Sequence, residues 1–215
     1  MLEETSEGVS SILTVPSDSL GRRSIDMVIV LLAAPIVLIF SAVVAVILKC
    51  SEPKESVFFG ITRYGKGGKP FKMWKFRTMR NDYHLLRCEE IIRSFAPELD
   101  FKLENDPRIS PFGTILRRTH LDELPQLFNM LVGDMTLVGP RPNSLSPQKY
   151  EPWQLERLTV RPGLTGPWQI HGKRKVHYSE RFAQEIDFIR SRTFLKETSI
   201  VFQTVWHCIN RRGMI

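Results

Sequence analysis

The chain contains little cysteine, and its cysteines are far apart. Among 215 residues only Cys50, Cys88 and Cys208 are cysteine, and none of them forms a CxxC pair. This odd and scattered set argues against a disulfide framework and against a structural zinc site. With 42% hydrophobic and 25% charged residues, the chain is neither disordered nor collagen-like. We expect one principal core and a reducing, cytosolic setting.

Basic residues are missing from the first 20 positions, which contain four acidic residues and several serines. Residues 21–215 carry 30 basic against 19 acidic groups, a formal charge of +11. The sequence therefore predicts a flexible acidic tail over 1–20 and a cationic body after it.

Charge of either sign is absent from residues 27–48, a run of 22 residues. As a continuous helix this run would be about 33 Å long, which is enough to cross a hydrocarbon core of roughly 30 Å. A secretory signal fits less well, because the run is long, begins well inside the chain and lacks a small-residue cleavage site. The sequence predicts a membrane helix over 21–52.

A proline within the apolar run affects how the helix would sit in a bilayer. Pro35 removes a helical amide, so we expect a kink next to it. Arg22 and Arg23 precede the run, whereas Lys49 and Lys54 follow it, and the positive-inside tendency would keep both ends in the cytoplasm. A re-entrant helix that bends at Pro35 satisfies both flanks. On these grounds alone, a straight single-pass helix remains equally open.

Glycines and basic residues predict a β-hairpin over 57–79. Residues 60–66 match the start of a phosphate-binding P-loop, but Gly67 stands where Ser or Thr should bind magnesium, which excludes that motif. What remains is a turn in which cations alternate with aromatic residues. Its cations are Arg63, Lys66, Lys69, Lys72, Lys75, Arg77 and Arg80. Such a surface could bind nucleic acid, lie against anionic lipid headgroups or simply be solvated.

The remaining periodicity predicts helices over 85–95, 115–131 and 180–211, with Gly133 ending the second of these. Six prolines between 140 and 167 indicate a loop-rich region. The predicted fold class is α+β and mainly α. It comprises a proline-broken re-entrant membrane helix, a small β-hairpin and a loop-rich, helical cytosolic domain over 53–215.

Two adjacent acids, Asp122 and Glu123, are the sharpest chemical signal. Pro125 places them at the start of a helix, where exposed amides favour anions. They could be ordinary helix-start acids with a charge partner, or a nucleophile with a helper that acts on a phosphate. A glycosidase pair is disfavoured, because adjacent carboxylates cannot flank one bond from opposite sides. Arg117 precedes the pair, and Arg141 lies between two prolines, which suits rigid phosphate recognition.

The five histidines show no metal-ligand spacing, and Trp168 could either stack on a ligand or pack in the core. Near the C-terminus, an apolar stripe could rest on a membrane or pack inward. It consists of Ile200, Val201, Val205, Trp206 and Ile209.

The stretch from Arg22 to about Thr204 resembles the bacterial sugar transferase family, the monotopic phosphoglycosyl transferases. The resemblance rests on long blocks in the same order. They are RRSID before a proline-broken apolar run, RYGKGGKPFKMWKFRTM, ENDPRISPFGTILRRTHLDELPQLFNMLVGDMTLVGPRP and RPGLTGPWQIHGK.

This resemblance implies transfer of a sugar 1-phosphate from a UDP-sugar to a polyprenyl phosphate such as undecaprenyl phosphate, with release of UMP, as the first step of glycoconjugate assembly. It implies Mg²⁺, a covalent intermediate on Asp122, and Glu123 as a helper in metal or proton handling. Arg117 and Arg141 are expected to contact phosphate, and we add Arg63, Lys75 and Arg77 from the basic hairpin. The implied setting is the cytoplasmic face of the bacterial inner membrane, with its lipid as a partner and no nucleic acid. The re-entrant anchor, with its break at Pro35, is favoured by the resemblance, and a homodimer is left open.

Overall fold

The computed structural model describes residues 20–80, 106, 108–171 and 178–210. The acidic tail up to residue 19 and the helix predicted over 85–95 lie outside the described residues. The described chain is mostly helical, with two small two-stranded sheets. It divides into two compact units. The first contains residues 20–32, 62–72, 127–171 and 178–210, and the second contains 33–61, 73–80, 106 and 108–126. The predicted division at 20 and 52 stays a prediction.

The apolar run forms helix α1, Leu20–Ser51, with Pro35 inside it. Its length and composition suffice to cross a membrane. Many of its large apolar side chains are exposed, among them Leu31, Leu32 and Ile39. A long apolar helix is therefore confirmed, whereas membrane insertion and re-entry at Pro35 stay predictions.

Charged side chains at the start of α1 bind the first unit. Arg23 donates to the carbonyls of Met130 and Leu131, at 2.5 and 2.7 Å. The buried carboxylate of Asp26 accepts hydrogen bonds from Thr136 Oγ1 at 2.7 Å and from the Leu137 N–H at 2.9 Å. The first turns of α1 are thus part of a folded polar network.

The predicted hairpin is confirmed, with strands β1, Phe58–Tyr64, and β2, Pro70–Phe76. Between them, Gly67 and Gly68 have φ angles of 67° and 69°. Glycine adopts this left-handed backbone without the steric cost that a Cβ brings, which explains why the turn falls where the glycines are.

The stretch predicted as helical over 115–131 is interrupted. Helix α2, Pro111–Arg118, is followed by a 3₁₀ turn, Leu121–Glu123, and then by helix α3, Gln126–Val132. His120 adopts a left-handed backbone (φ 56°, ψ 15°) and redirects the chain between α2 and the turn. As predicted, Gly133 ends helix α3: its φ is 94°, and its N–H donates to the Asn129 carbonyl.

A parallel sheet lies in the region predicted as loops. Strand β3, Thr136–Val138, pairs with β4, Gly163–Thr165, in the register Thr136 to Gly163 and Val138 to Thr165. A Cβ on Gly163 would lie 2.1 Å from the Gly139 nitrogen, so glycine permits the close approach of the two backbones. Much of the backbone between these strands is irregular, in keeping with the loop-rich prediction, and the short parallel sheet is a feature that the sequence did not predict.

Three helices complete the first unit: α4, Pro167–His171, α5, Tyr178–Arg190, and α6, Phe194–Asn210. The single final helix predicted over 180–211 is thus two helices separated by residues 191–193. Ile200 packs in the core with Val138, Val160 and Phe188, and Val201 packs against it.

The described side chains farther along the C-terminal stripe lie at the surface, and that of Ile209 is outside the described part of the chain. Val205 and Trp206 are exposed, so the predicted stripe is divided between packing and surface. Trp168 is buried, with the Arg181 guanidinium 5.4 Å from its ring centre, which favours the packed interpretation.

Candidate functional site

Hydrophobic packing holds the turn that carries the two acids. Leu121 and Leu124 pack against a cluster in the second unit that contains Phe76 and Leu116. Because these leucines flank Asp122 and Glu123 in the chain, their burial fixes the backbone on both sides of the acidic pair. The acids therefore lie in a 3₁₀ turn ahead of α3 rather than in the first turn of a regular helix.

Asp122 is a buried carboxylate, 8% exposed. Burial raises the pKa of Asp122 above its ordinary value, and the adjacent Glu123 raises that pKa further. Lys75, Arg117 and His120 lower the pKa of Asp122 and so act in the opposite direction. A partly desolvated carboxylate among cations is the environment expected of a nucleophile or a proton-transfer group.

Glu123 is held by the hairpin. Lys75, on β2, places its Nζ 2.5 Å from Glu123 Oε1, and both side chains are largely buried. This ion pair joins residues that are 48 positions apart and brings a predicted phosphate-binding cation to the acidic pair. The structure thus gathers Lys75, Asp122 and Glu123, and their binding and catalytic roles stay predictions.

Arg117 is directed by a residue that the sequence analysis missed. Its Nε donates to the Oγ1 of Thr78 at 2.8 Å, and Thr78 is buried. The Thr78 carbonyl accepts from the Ser110 N–H at 3.2 Å, and a Cβ on Gly113 would lie 2.3 Å from that carbonyl oxygen. The backbone at Thr78 is therefore held against the start of α2. A lone threonine in FRTM carries no local signal for this role.

The donor set fits a magnesium ion only in part. Among the described residues, no group of three or more His, Cys, Asp or Glu side chains could hold a metal. Mg²⁺ is commonly bound by one or two carboxylates, with water and substrate phosphate completing its shell. Asp122 and Glu123 supply two such carboxylates, so they are compatible with a metal that arrives with a phosphate ligand.

Arg63 and Arg141 belong to the first unit, where the end of β1 meets the loop that contains Arg141. Arg63 Nη1 donates to Ser144 Oγ, and the Tyr64 N–H donates to the Asn143 carbonyl at 3.0 Å. Arg141 lies two residues before Asn143, between Pro140 and Pro142. The substrate contacts of Arg63 and Arg141 stay predictions.

Arg77 has structural partners in the second unit. Its Nε donates to the Ser56 carbonyl at 2.9 Å, its Nη1 lies 3.4 Å from Glu55 Oε2, and its guanidinium lies 5.6 Å from the centre of the Phe59 ring. These contacts give Arg77 a role in holding the segment before β1, and its predicted contact with phosphate is not tested by them.

Comparison with known proteins points to one family. The profile of the bacterial sugar transferase family matches residues 17–211. The chain is 36% identical over 201 residues to an undecaprenyl-phosphate galactose phosphotransferase from Salmonella typhimurium, covering 89% of this chain and 41% of that protein. It is 36% identical over 197 residues to a UDP-glucose:undecaprenyl-phosphate glucose-1-phosphate transferase from Escherichia coli, covering 86% and 39%.

A shorter relative matches over most of its own length. The exopolysaccharide production protein ExoY from Rhizobium meliloti is 36% identical over 204 residues, covering 88% of this chain and 86% of the relative. The chain thus spans about two fifths of the Salmonella and Escherichia proteins and nearly all of the Rhizobium one.

Proposed function

Because the chain belongs to the bacterial sugar transferase family, we propose that it transfers a sugar 1-phosphate from a UDP-sugar to undecaprenyl phosphate and releases UMP. The observation that carries the proposal is the buried Asp122 carboxylate, placed beside the Lys75–Glu123 ion pair and near Arg117. The names of the Salmonella and Escherichia relatives supply the substrate class. The product would begin the assembly of an exopolysaccharide or a related glycoconjugate.

The first step would take place on Asp122. A carboxylate oxygen attacks the sugar-bearing phosphorus of the UDP-sugar and forms an O–P bond, while the bond from that phosphorus to UMP breaks. UMP leaves with the electron pair, and the sugar phosphate remains on the aspartate. Burial favours this attack, because a desolvated carboxylate needs to shed little water before it reacts.

In the second step, a phosphate oxygen of undecaprenyl phosphate attacks the same phosphorus. A lipid-linked sugar diphosphate forms, and the bond to Asp122 breaks and returns the carboxylate. One phosphate site would serve both substrates in turn, so the kinetics should be ping-pong.

The surrounding cations would offset the negative charge of the reacting phosphate. Arg117, fixed through Thr78, presents a guanidinium to phosphate oxygens, and Lys75 keeps Glu123 oriented beside Asp122. On the resemblance of their motifs, we assign phosphate contacts also to Arg63, Arg77 and Arg141.

We propose Mg²⁺ as the cofactor, held by Asp122 and Glu123 together with substrate phosphate. The ion would withdraw charge from the phosphate and from the departing UMP.

We further propose that α1 anchors the protein in the bacterial inner membrane as a re-entrant helix that bends at Pro35, with the catalytic residues on the cytoplasmic side. The support is its apolar composition and the basic residues on both flanks. Such an anchor would keep the protein at the level of the acceptor's phosphate.

The test uses the full chain in detergent with undecaprenyl phosphate, Mg²⁺ and a panel of UDP-sugars, and measures the release of UMP. We expect Asp122→Asn to abolish release, while Asp187→Asn, at an exposed aspartate on α5, retains it. Incubation with donor alone should leave a sugar phosphate on Asp122, visible by mass spectrometry.

Normal turnover by Asp122→Asn would overturn the mechanism. A wild-type protein that releases no UMP, yet binds nucleic acid with strong salt dependence, would favour the alternative of a membrane-tethered nucleic-acid-binding protein.

A further inference from the structure

The loop at residues 139–142, with the sequence GPRP, has few main-chain N–H groups with which to hold its shape. Pro140 and Pro142 have no N–H group, so Arg141 supplies the only backbone donor of the three residues. A loop of this kind cannot be held by regular strand pairing, and its polar main-chain groups need other partners. The Pro140 carbonyl accepts from the Gly163 N–H at 2.9 Å. The N–H and the carbonyl of Arg141 are bound by side chains.

Both of these groups are bound by the two members of one buried ion pair. The Arg141 N–H donates to Glu185 Oε1 at 2.9 Å, and the Arg141 carbonyl accepts from Nη2 of Arg157. Arg157 Nε in turn donates to Glu185 Oε2. The Glu185 side chain is fully buried and that of Arg157 is 3% exposed.

The guanidinium of Arg157 has almost no freedom of its own. Its Nη1 donates to the Tyr150 hydroxyl at 3.2 Å, and its central carbon lies 4.8 Å from the centre of the Phe182 ring. Tyr150 and Phe182 meet edge to face, with ring centres 5.4 Å apart. A planar donor with three directed hydrogen bonds and an aromatic face is fixed in orientation as well as in position.

Glu185 also lies 3.8 Å from Arg181 Nε, so it is the shared partner of two arginines. A buried ion pair contributes little net stability compared with apolar residues of the same size, so its value lies elsewhere. Here the two partners bind the backbone N–H and the backbone carbonyl of a single residue, Arg141.

We propose that Glu185 and Arg157 are positioning residues that fix the backbone of Arg141 and thereby aim its guanidinium at a substrate phosphate. This inference rests on the proposed function for the phosphate contact of Arg141. The hydrogen bonds that hold the Arg141 backbone lie within the first unit and do not depend on that function. Glu185 and Arg157 act through Arg141 and do not touch substrate.

The experiment is a double-mutant cycle on the full chain, with UMP release as the assay. Glu185→Gln keeps the side-chain volume but replaces the carboxylate that pairs with Arg157 by an uncharged amide. We therefore expect kcat/KM for the UDP-sugar to fall about tenfold. In an Arg141→Ala background the same change should lower kcat/KM less than about twofold. The loss in thermal midpoint caused by Glu185→Gln should be the same in both backgrounds.

Arg190→Gln is the matched control. Arg190 binds Glu156, the neighbour of Arg157, at 2.6 Å and so links the same two segments without reaching Arg141. This variant should leave kcat/KM unchanged. Arg157→Lys, which keeps the charge but loses the three directed bonds, should reproduce the effect of Glu185→Gln and replaces it if that variant does not fold.

Amide hydrogen exchange separates this proposal from the proposed function. In overlapping peptides that isolate residues 140–142, the only backbone amide is that of Arg141, and it should exchange faster in Glu185→Gln and in Arg157→Lys than in wild type. Equal losses of kcat/KM in both backgrounds, or unchanged exchange at Arg141, would overturn the inference. A wild-type protein without UMP release would refute the proposed function, and the exchange result would then decide the positioning role alone.

Discussion

Removal of one hydroxyl group at Thr78 should impair the reaction without unfolding the protein. Thr78→Val keeps the shape of a buried side chain but deletes the acceptor of the hydrogen bond from Arg117 Nε, which measures 2.8 Å. A hydrogen bond to a charged group contributes about 1.5–3 kcal/mol. Since roughly 1.4 kcal/mol corresponds to a factor of ten in rate, kcat/KM should fall about 10- to 150-fold if the bond is used fully in the transition state.

The assay is the initial rate of UMP release at several donor concentrations, with the thermal midpoint of each variant measured in parallel. Thr78→Ser retains the hydroxyl and should stay within about threefold of wild type. Thr119→Val is the matched control, because its exposed hydroxyl bonds to the carbonyls of Ile115 and Leu116 in α2 and not, within the described residues, to Arg117. If Thr78→Val retains wild-type kcat/KM, or if Thr78→Ser loses as much as Thr78→Val, Thr78 does not direct Arg117.

Two further predictions concern stability and topology. The hydrogen bond from the Arg108 side chain lowers the pKa of Asp106, so this carboxylate stabilises the fold above its unfolded pKa and the effect disappears as the pH falls through the folded pKa. Asp106→Asn should therefore lower the free energy of unfolding by about 1.5 kcal/mol at pH 7, as expected for one hydrogen bond to a charged group, and by much less in acid, as measured by urea denaturation. In a cysteine-free background, cysteines at Gly21 and Ser51 should react with an impermeant maleimide from the same face of the membrane. Labelling from opposite faces would contradict the re-entrant helix.

Elements whose causes are local could be predicted from the sequence. The hairpin follows from two glycines that must adopt positive φ angles between two segments rich in aromatic residues. Helix α1 follows from an apolar run longer than most buried helices. In both cases the signal lies within a few consecutive residues, so no knowledge of distant contacts is needed.

Elements that form through contacts between distant parts of the chain could not be predicted from the sequence. Strands β3 and β4 have three residues each, too few for a periodic pattern, and they form because Gly139 and Gly163 let two distant segments approach closely. The interruption before α3 depends on the left-handed backbone of His120, which nothing in the local sequence demands. The break between α5 and α6 at residues 191–193 was not predicted either, because the apolar pattern continues across it.

The candidate site shows the same division. The residue pattern singled out Asp122, Glu123 and Arg117, the resemblance to a known family supplied their roles, and the basic hairpin added Lys75. None of these gave the contacts among the four side chains. The ion pair of Lys75 with Glu123 and the bond from Arg117 to Thr78 join residues 48 and 39 positions apart. The positioning pair Arg157 and Glu185 carries no motif that the sequence analysis recognised, because its role depends on a loop made in another part of the chain.

The charges before the apolar run bear on how topology is inferred from sequence. Arg22 and Arg23 count toward the positive-inside tendency, but both are bound to the first unit, Arg22 through Glu197 at 3.0 Å and Arg23 through carbonyls of α3. A charge that is already paired within a folded domain cannot cross a membrane unless that domain unfolds. Asp26, one turn later in α1, is also held by its hydrogen bonds to Thr136 and Leu137 of β3. The part of α1 that could enter a bilayer therefore starts after Asp26. If α1 enters a bilayer as proposed, its N-terminal end would stay on the side of the first unit because of these contacts, and the charge bias would act in the same direction. The topology would then depend on the C-terminal end, that is, on whether the helix bends at Pro35 and on the basic residues after Leu48.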